Sequence, residues 1–225
     1  MVGGAFAYGQ GTIVVNSLSA TYAISTNTAI SHYANGTQTG GVAGKTATAA
    51  LGYYYQLLIQ PYTGTLAGSA TNVIGGGWSA PTYTINNGTS LAGSISGQGG
   101  SSGAGVTGWG APTGSSPSDG GTEMYYLLVG WSANLGTTWS QVSSELATES
   151  WITTGFFGVS SIGYGYSGGG INNINAPSVF GVTGAEPGGF TSGFTLYTVT
   201  PVPEPTTMAL AGLGGLAMLM FRRRK

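Results

Sequence analysis

At 225 residues the chain suits one domain of ordinary size with a short extension. It contains no cysteine, which excludes a disulfide framework and any thiolate metal site. Charged residues are only 5% of the chain, and before residue 201 the single cation Lys45 stands against five carboxylates, which argues against a nucleic-acid partner.

In chain order, Met1–Ala7 lacks a basic region, yet Ala5-Phe-Ala7 has the small-x-small pattern of a secretory cleavage site. Residues 1–7 are therefore read as the remnant of a signal peptide, with the true start further upstream and the mature chain beginning near Tyr8. Thr12–Val15 and Ala20–Ile24 are β-branched and aromatic runs of strand length, and Asn35-Gly36 is a hairpin-type turn. Tyr53–Gln60 is the clearest strand, with Tyr53, Tyr55, Leu57 and Ile59 on one face and Tyr54, Gln56, Leu58 and Gln60 on the other. Val73-Ile74 and Pro81–Ile85 continue the strand theme, and Asn87-Gly88 marks a further turn.

Glycine, serine, threonine and proline dominate residues 92–121, which read as a long loop around one short strand at Gly105–Trp109. Met124–Val129 is the second strong strand and echoes Tyr54–Ile59, as two central strands of one sheet would. Thr138 and Gln141 have capping-box spacing, and Trp139, Val142 and Leu146 recur at helical intervals, which predicts one helix at about 139–149. Short strands follow at Gly155–Val159, Ser160–Tyr166, Val179–Val182 and Phe194–Val199. The pattern predicts a mainly β fold, an antiparallel β-sandwich or jelly roll carrying one short helix.

Catalytic patterns are weak against this composition. Gly165-Tyr-Ser167-Gly-Gly169 matches a serine nucleophile motif, and His32, Asp119 and Ser167 occur in the order of chymotrypsin-like proteases. Asp119 lies in a Ser/Pro/Gly loop, however, and His32 has no motif around it. Gly40–Thr46 misses the phosphate-loop pattern by one position, and the Gly-x-Gly-x-x-Gly matches at 103–108 and 163–168 do not open a helix in a βαβ unit. One histidine and scattered carboxylates suggest neither a metal nor any other cofactor. A carboxylate pair for glycoside hydrolysis would have to meet in space. For each of the five tryptophans core packing is the plainer reading; Trp78 and Trp109, in Gly-rich stretches, are the candidates for exposure, where they would stack on sugar rings.

The tail is the most informative segment. Val202-Pro203-Glu204-Pro205 is followed by an apolar run over 206–221 and then by Arg222, Arg223, Arg224 and Lys225. A helix over that run would be roughly 24 Å long, short against the ~30 Å of a bilayer core. It is read as a C-terminal transmembrane helix with its basic end as the cytoplasmic stop and the body on the far side. The two prolines keep the preceding motif extended and accessible.

In these residues the tail resembles the PEP-CTERM sorting signal of Gram-negative bacteria. The resemblance implies recognition by an exosortase-type membrane protease and cleavage near 202–205. The body would then pass from the inner membrane to the cell surface or the extracellular space. The body, with its paired aromatic Leu-Leu strands and Val129-Gly130-Trp131, is also similar to proteins bearing this tail in verrucomicrobial-type bacteria, a likeness that brings no activity with it. The expected layout is a signal remnant at 1–7, a β-sandwich body at 8–200 and the sorting tail at 201–225. The expected role is that of a non-enzymatic surface or matrix protein associated with extracellular polysaccharide. A carbohydrate-binding module and a glycoside- or ester-hydrolysing enzyme are the alternatives.

Overall fold

A computed structural model describes residues 10–17, 19–34, 40–46, 52–65, 72–88, 91–183 and 187–201, together with Gly212, Leu213 and Met218 of the tail. The chain begins with β1 (Gln10–Ile13), β2 (Ser25–Ile30), β3 (Ala43–Lys45) and β4 (Tyr53–Pro61). It continues through β5 (Ile85–Asn87), β6 (Ile95–Gly97), β7 (Ala104–Gly110) and β8 (Glu123–Ser132). After α1 (Trp139–Ala147) come β9 (Gly155–Val159), β10 (Gly163–Tyr166) and β11 (Thr195–Val199).

Nine of these strands form one curled sheet in the order β3-β2-β11-β9-β8-β4-β5-β6, with β10 also paired to β8. β1 and β7 make a separate two-stranded ribbon. Every pairing between these strands is antiparallel except that of β11 with β2. The mainly β expectation therefore holds, with a parallel pair and a two-stranded ribbon in place of a second full sheet.

The two strongest strands of the sequence are neighbours at the centre of the sheet, β4 and β8, paired from Tyr53↔Ser132 to Pro61↔Met124. Over the middle of this pair both faces are apolar because both are covered. On one face Tyr55, Leu57 and Ile59 meet Met124, Tyr126 and Leu128 beneath Ile13, Val106 and Trp109 of the ribbon. On the other, Leu58, Leu127, Val129 and Trp131 pack with Val142 and Leu146 of α1 and with Trp151. Burying each such side chain contributes about 1.5–3 kcal/mol, so the central pair anchors the fold.

Glycines make room where the sheet is most tightly packed. Gly130 and Gly158 face one another across β8 and β9. A Cβ on Gly130 would lie 2.8 Å from the Tyr55 ring, and one on Gly158 would lie 2.2 Å from the carbonyl oxygen of Thr195.

α1 forms as its spacing predicts. The Thr138 side chain accepts from the Gln141 backbone N–H, and the Gln141 side chain accepts in return from the Thr138 N–H. Glu145 Oε2 then receives the N–H of Ile152, which ties the exit of the helix to the next turn.

Several local expectations change. Ala20–Ile24 does not open as a strand: Ala20–Tyr22 is a 3₁₀ turn, because the Ser19 hydroxyl accepts the Thr21 N–H and caps it. Val73-Ile74 is a turn, the strand expected at Pro81–Ile85 starts only at Ile85, and residues 92–121 hold two strands instead of one. Val179–Val182 contributes only an isolated bridge, Phe180↔Phe190.

The hairpin expected at Asn35-Gly36 and the signal remnant at 1–7 lie outside the described residues. Of the expected membrane segment, Gly212, Leu213 and Met218 are described and are helical. Among the described residues no helix is long and apolar enough to cross a membrane.

Candidate functional site

Trp109, one of the two candidates for exposure, is buried at 1% exposure. Between Gln10 and Gly11 the ribbon register jumps, so that one step along β1 spans the β7 residues from Gly110 back to Val106. Gly108 within that stretch has φ +87°, a conformation that favours glycine. The irregularity turns both Val106 and Trp109 inward, although strict alternation would place them on opposite faces. The indole N–H donates to the Thr122 carbonyl at 2.9 Å, and the ring packs on Tyr126. A groove of about 510 Å³ beside it is lined by Gln10, the three glycines 108, 110 and 120, and Thr122. No sugar can reach the buried face of this indole, so the stacking role expected of Trp109 is withdrawn.

Trp78 is half-buried. Ser79 and Ile59 exchange two backbone hydrogen bonds of 2.9 Å as an antiparallel bridge, which sets Trp78 beside Gln60 on the helix-bearing face of the sheet. Gln60 is paired with Tyr125, and Tyr125 with Tyr164. One row therefore crosses four chain segments: Trp78, Gln60, Tyr125, Tyr164. The next row outward is Tyr62, Glu123 and Tyr166, joined by the Tyr62 N–H to Glu123 carbonyl bond of 3.1 Å and the Tyr166↔Glu123 pairing.

The two rows are knitted together by ring contacts. Tyr62 lies 4.7 Å from Tyr125 and 5.2 Å from Tyr164, centroid to centroid. The Tyr166 hydroxyl donates to Glu123 Oε2 at 3.4 Å. Desolvation, and after it the Glu123 carboxylate, raises the Tyr166 phenol above its ordinary pKa. Tyr125 is raised by desolvation first and then by its neighbours Tyr62, Glu123 and Tyr164. Two polar atoms in the inner row, Gln60 Oε1 and Trp78 Nε1, are buried without a hydrogen-bond partner among the described residues. An unpaired buried group of this kind costs about 1–3 kcal/mol.

A bulge brings the tyrosines to this face. Val159 pairs with Val129 and Gly163 with Tyr126, so four steps along β9–β10 oppose three along β8. Ser160 fills the bulge, accepting the Leu128 N–H on its hydroxyl at 2.9 Å and donating its own N–H to the Leu128 carbonyl. The extra residue reverses the alternation, so Phe157 and Tyr164 share one face despite their odd and even positions.

The residues of the hydrolase pattern are differently disposed. Ser167 is fully buried and its hydroxyl donates to the Gly110 carbonyl at 2.9 Å, on the ribbon side. Asp119 accepts the Ser116 N–H in its own loop. His32 stacks on Tyr33 on the helix side, where the two rings border a groove of about 360 Å³ with Val73, Leu146 and Glu149. Partial burial lowers the His32 pKa.

The sorting motif Val202–Pro205 and the basic end Arg222–Lys225 lie outside the described residues, so their identification rests on sequence. Residues 201–225 match the family model described as the PEP-CTERM protein-sorting motif. That tail marks an exported protein sorted by an exosortase. Comparison with curated proteins and with solved structures found no match.

Proposed function

We propose that this chain is an exosortase cargo whose body serves, without catalysis, as a cell-surface or extracellular-matrix component associated with polysaccharide. The observation that carries this reading is the sorting-motif match over 201–225. It is supported by the fixed order of Val202-Pro-Glu-Pro205, apolar segment and Arg222–Lys225. In this reading residues 1–7 are a signal remnant, 8–200 a sandwich-type body of verrucomicrobial kind, and 206–221 a temporary membrane helix. The partners are the processing protease, the inner membrane during transit and extracellular polysaccharide, with no nucleic acid. A body in which Lys45 is the only Lys or Arg suits a neutral, hydrated environment.

The test is processing. Glu204→Ala and Pro205→Ala should each leave full-length precursor in the membrane fraction of the native host, while the wild-type chain is shortened and released. Normal shortening of both variants would refute the sorting role of the motif.

A carbohydrate-binding module is the second reading. Half-buried Trp78, standing in a row with tyrosines, favours it; Trp109 no longer does.

A further inference from the structure

We infer that the two rows Trp78–Gln60–Tyr125–Tyr164 and Tyr62–Glu123–Tyr166 form a binding surface for a neutral polysaccharide. The inference deepens the carbohydrate-binding reading and is independent of the tail's role in sorting.

α1 leaves one end of the sheet face uncovered. Along β8 the helix-side residues are Glu123, Tyr125, Leu127, Val129 and Trp131. Leu127, Val129 and Trp131 belong to the apolar layer beneath α1, whereas Glu123 and Tyr125 lie beyond it. The same change from aliphatic to amphipathic side chains occurs on β4, from Leu58 to Gln60 and then Tyr62, and on the β10 side, from Ile162 to Tyr164 and Tyr166. Three adjacent segments thus switch together at the same level of the sheet. Packing alone would be served by more leucine and valine.

The replacement set has a specific chemistry. Trp78, Tyr62, Tyr164 and Tyr166 are half-buried, and Trp78 also packs against the helix-side apolar layer. An exposed aromatic face takes a flat C–H surface such as that of a pyranose ring, while phenol hydroxyls and a carboxylate hydrogen-bond its equatorial hydroxyls. Glu123 is the only charged group among the seven residues, so a polyanion finds no cation here. With strands ~4.8 Å apart, the inner row spans roughly 14 Å from Trp78 to Tyr164, the length of several sugar units in an extended chain.

A second observation points to a ligand. Gln60 is 8% exposed, and its Oε1, like Trp78 Nε1 beside it, has no partner among the described residues. A buried acceptor and a buried donor left open in the same row suit a partner that carries both functions on each hydroxyl.

The experiment is affinity electrophoresis of the full-length chain in a zwitterionic, sugar-free detergent. Native gels would contain hydroxyethyl cellulose, dextran, xylan or the polyanion alginate. Retardation is expected with at least one neutral polymer, none with alginate, and no weakening at high salt. Trp78→Ala and Tyr164→Ala should each reduce the affinity about tenfold, the loss of one ring contact. Tyr164→Phe should cost less than Tyr164→Ala, and Trp109→Phe nothing. Should the alanine variants fail to fold, the retarding polymer should still protect Tyr62 and Tyr164 of the wild-type protein from acetylation by N-acetylimidazole. Absence of retardation by every neutral polymer would overturn the inference. So would equal retardation by alginate, or retardation with no protection of these tyrosines.

Discussion

At the scale of single residues, one tight constraint in the central sheet is a missing side chain. A Cβ on Gly158 would come within 2.2 Å of the Thr195 carbonyl oxygen and 2.9 Å of Leu196 Cα, both backbone atoms that cannot move without parting β9 from β11. We expect Gly158→Ala to destabilise the body by about 3 kcal/mol, at the upper end of overpacking costs. A thermal melt would show this as a fall of roughly 6–12 °C for a domain of this size. Gly64→Ala, whose Cβ would meet nothing within 4 Å, should cost far less, only the strain of its φ of +74°.

Tyr83 tests burial in another way. Its hydroxyl donates towards the carbonyls of Ile13 and Gln98, each at 3.2 Å, and joins β1 to the loop after β6. Burial pushes its pKa up to about 12, against a small opposing contribution from the Val15 backbone. An unfolded tyrosine ionises near pH ~10, so between about 10 and 12 the unfolded chain binds fewer protons than the folded one. The stability contributed by this group is therefore complete below about pH 10 and lost as pH rises to about 12. Urea midpoints measured across that window should fall, and Tyr83→Phe should make the fall shallower.

At the scale of elements, α1 shows how a short helix becomes worth forming. It has nine residues, too few to persist alone in water, and depends on its cap and on burial of Val142 and Leu146. Thr138→Ala removes the acceptor for the Gln141 N–H and should cost about 1 kcal/mol, read as a modest drop in melting temperature with the β signal of circular dichroism retained. The helix also defines the candidate site by ending. Where its cover stops, the sheet face changes from Leu127 and Val129 to Tyr125 and Glu123.

At the scale of the molecule, one sheet serves two masters. Its ribbon-side face is closed by β1, β7 and the aromatic loop around Phe180 and Phe190; its other face is shared between the helix-covered layer and the tyrosine rows. Cystine is unavailable to this exported chain, so the double burial of β4 and β8 replaces covalent bracing. The tail adds an address that is read from the linear order of Val202–Pro205, the apolar run and Arg222–Lys225.

What was legible in the sequence was local. The strands β4 and β8 announce themselves by runs of aromatic and aliphatic residues, Thr138 and Gln141 by capping-box spacing, and the tail by three blocks in linear order. Each signal lies within a few consecutive residues and needs no partner to be read. Which face a side chain occupies was set by long-range pairing. The irregularity at Gly108 buries Trp109, and the bulge at Ser160 brings Tyr164 and Tyr166 round to join Tyr125, Tyr62 and Trp78. Strand side chains alternate with a period of two, so one extra residue reverses everything after it. Whether a bulge forms depends on hydrogen bonds to a strand some thirty residues distant, as between Ser160 and Leu128.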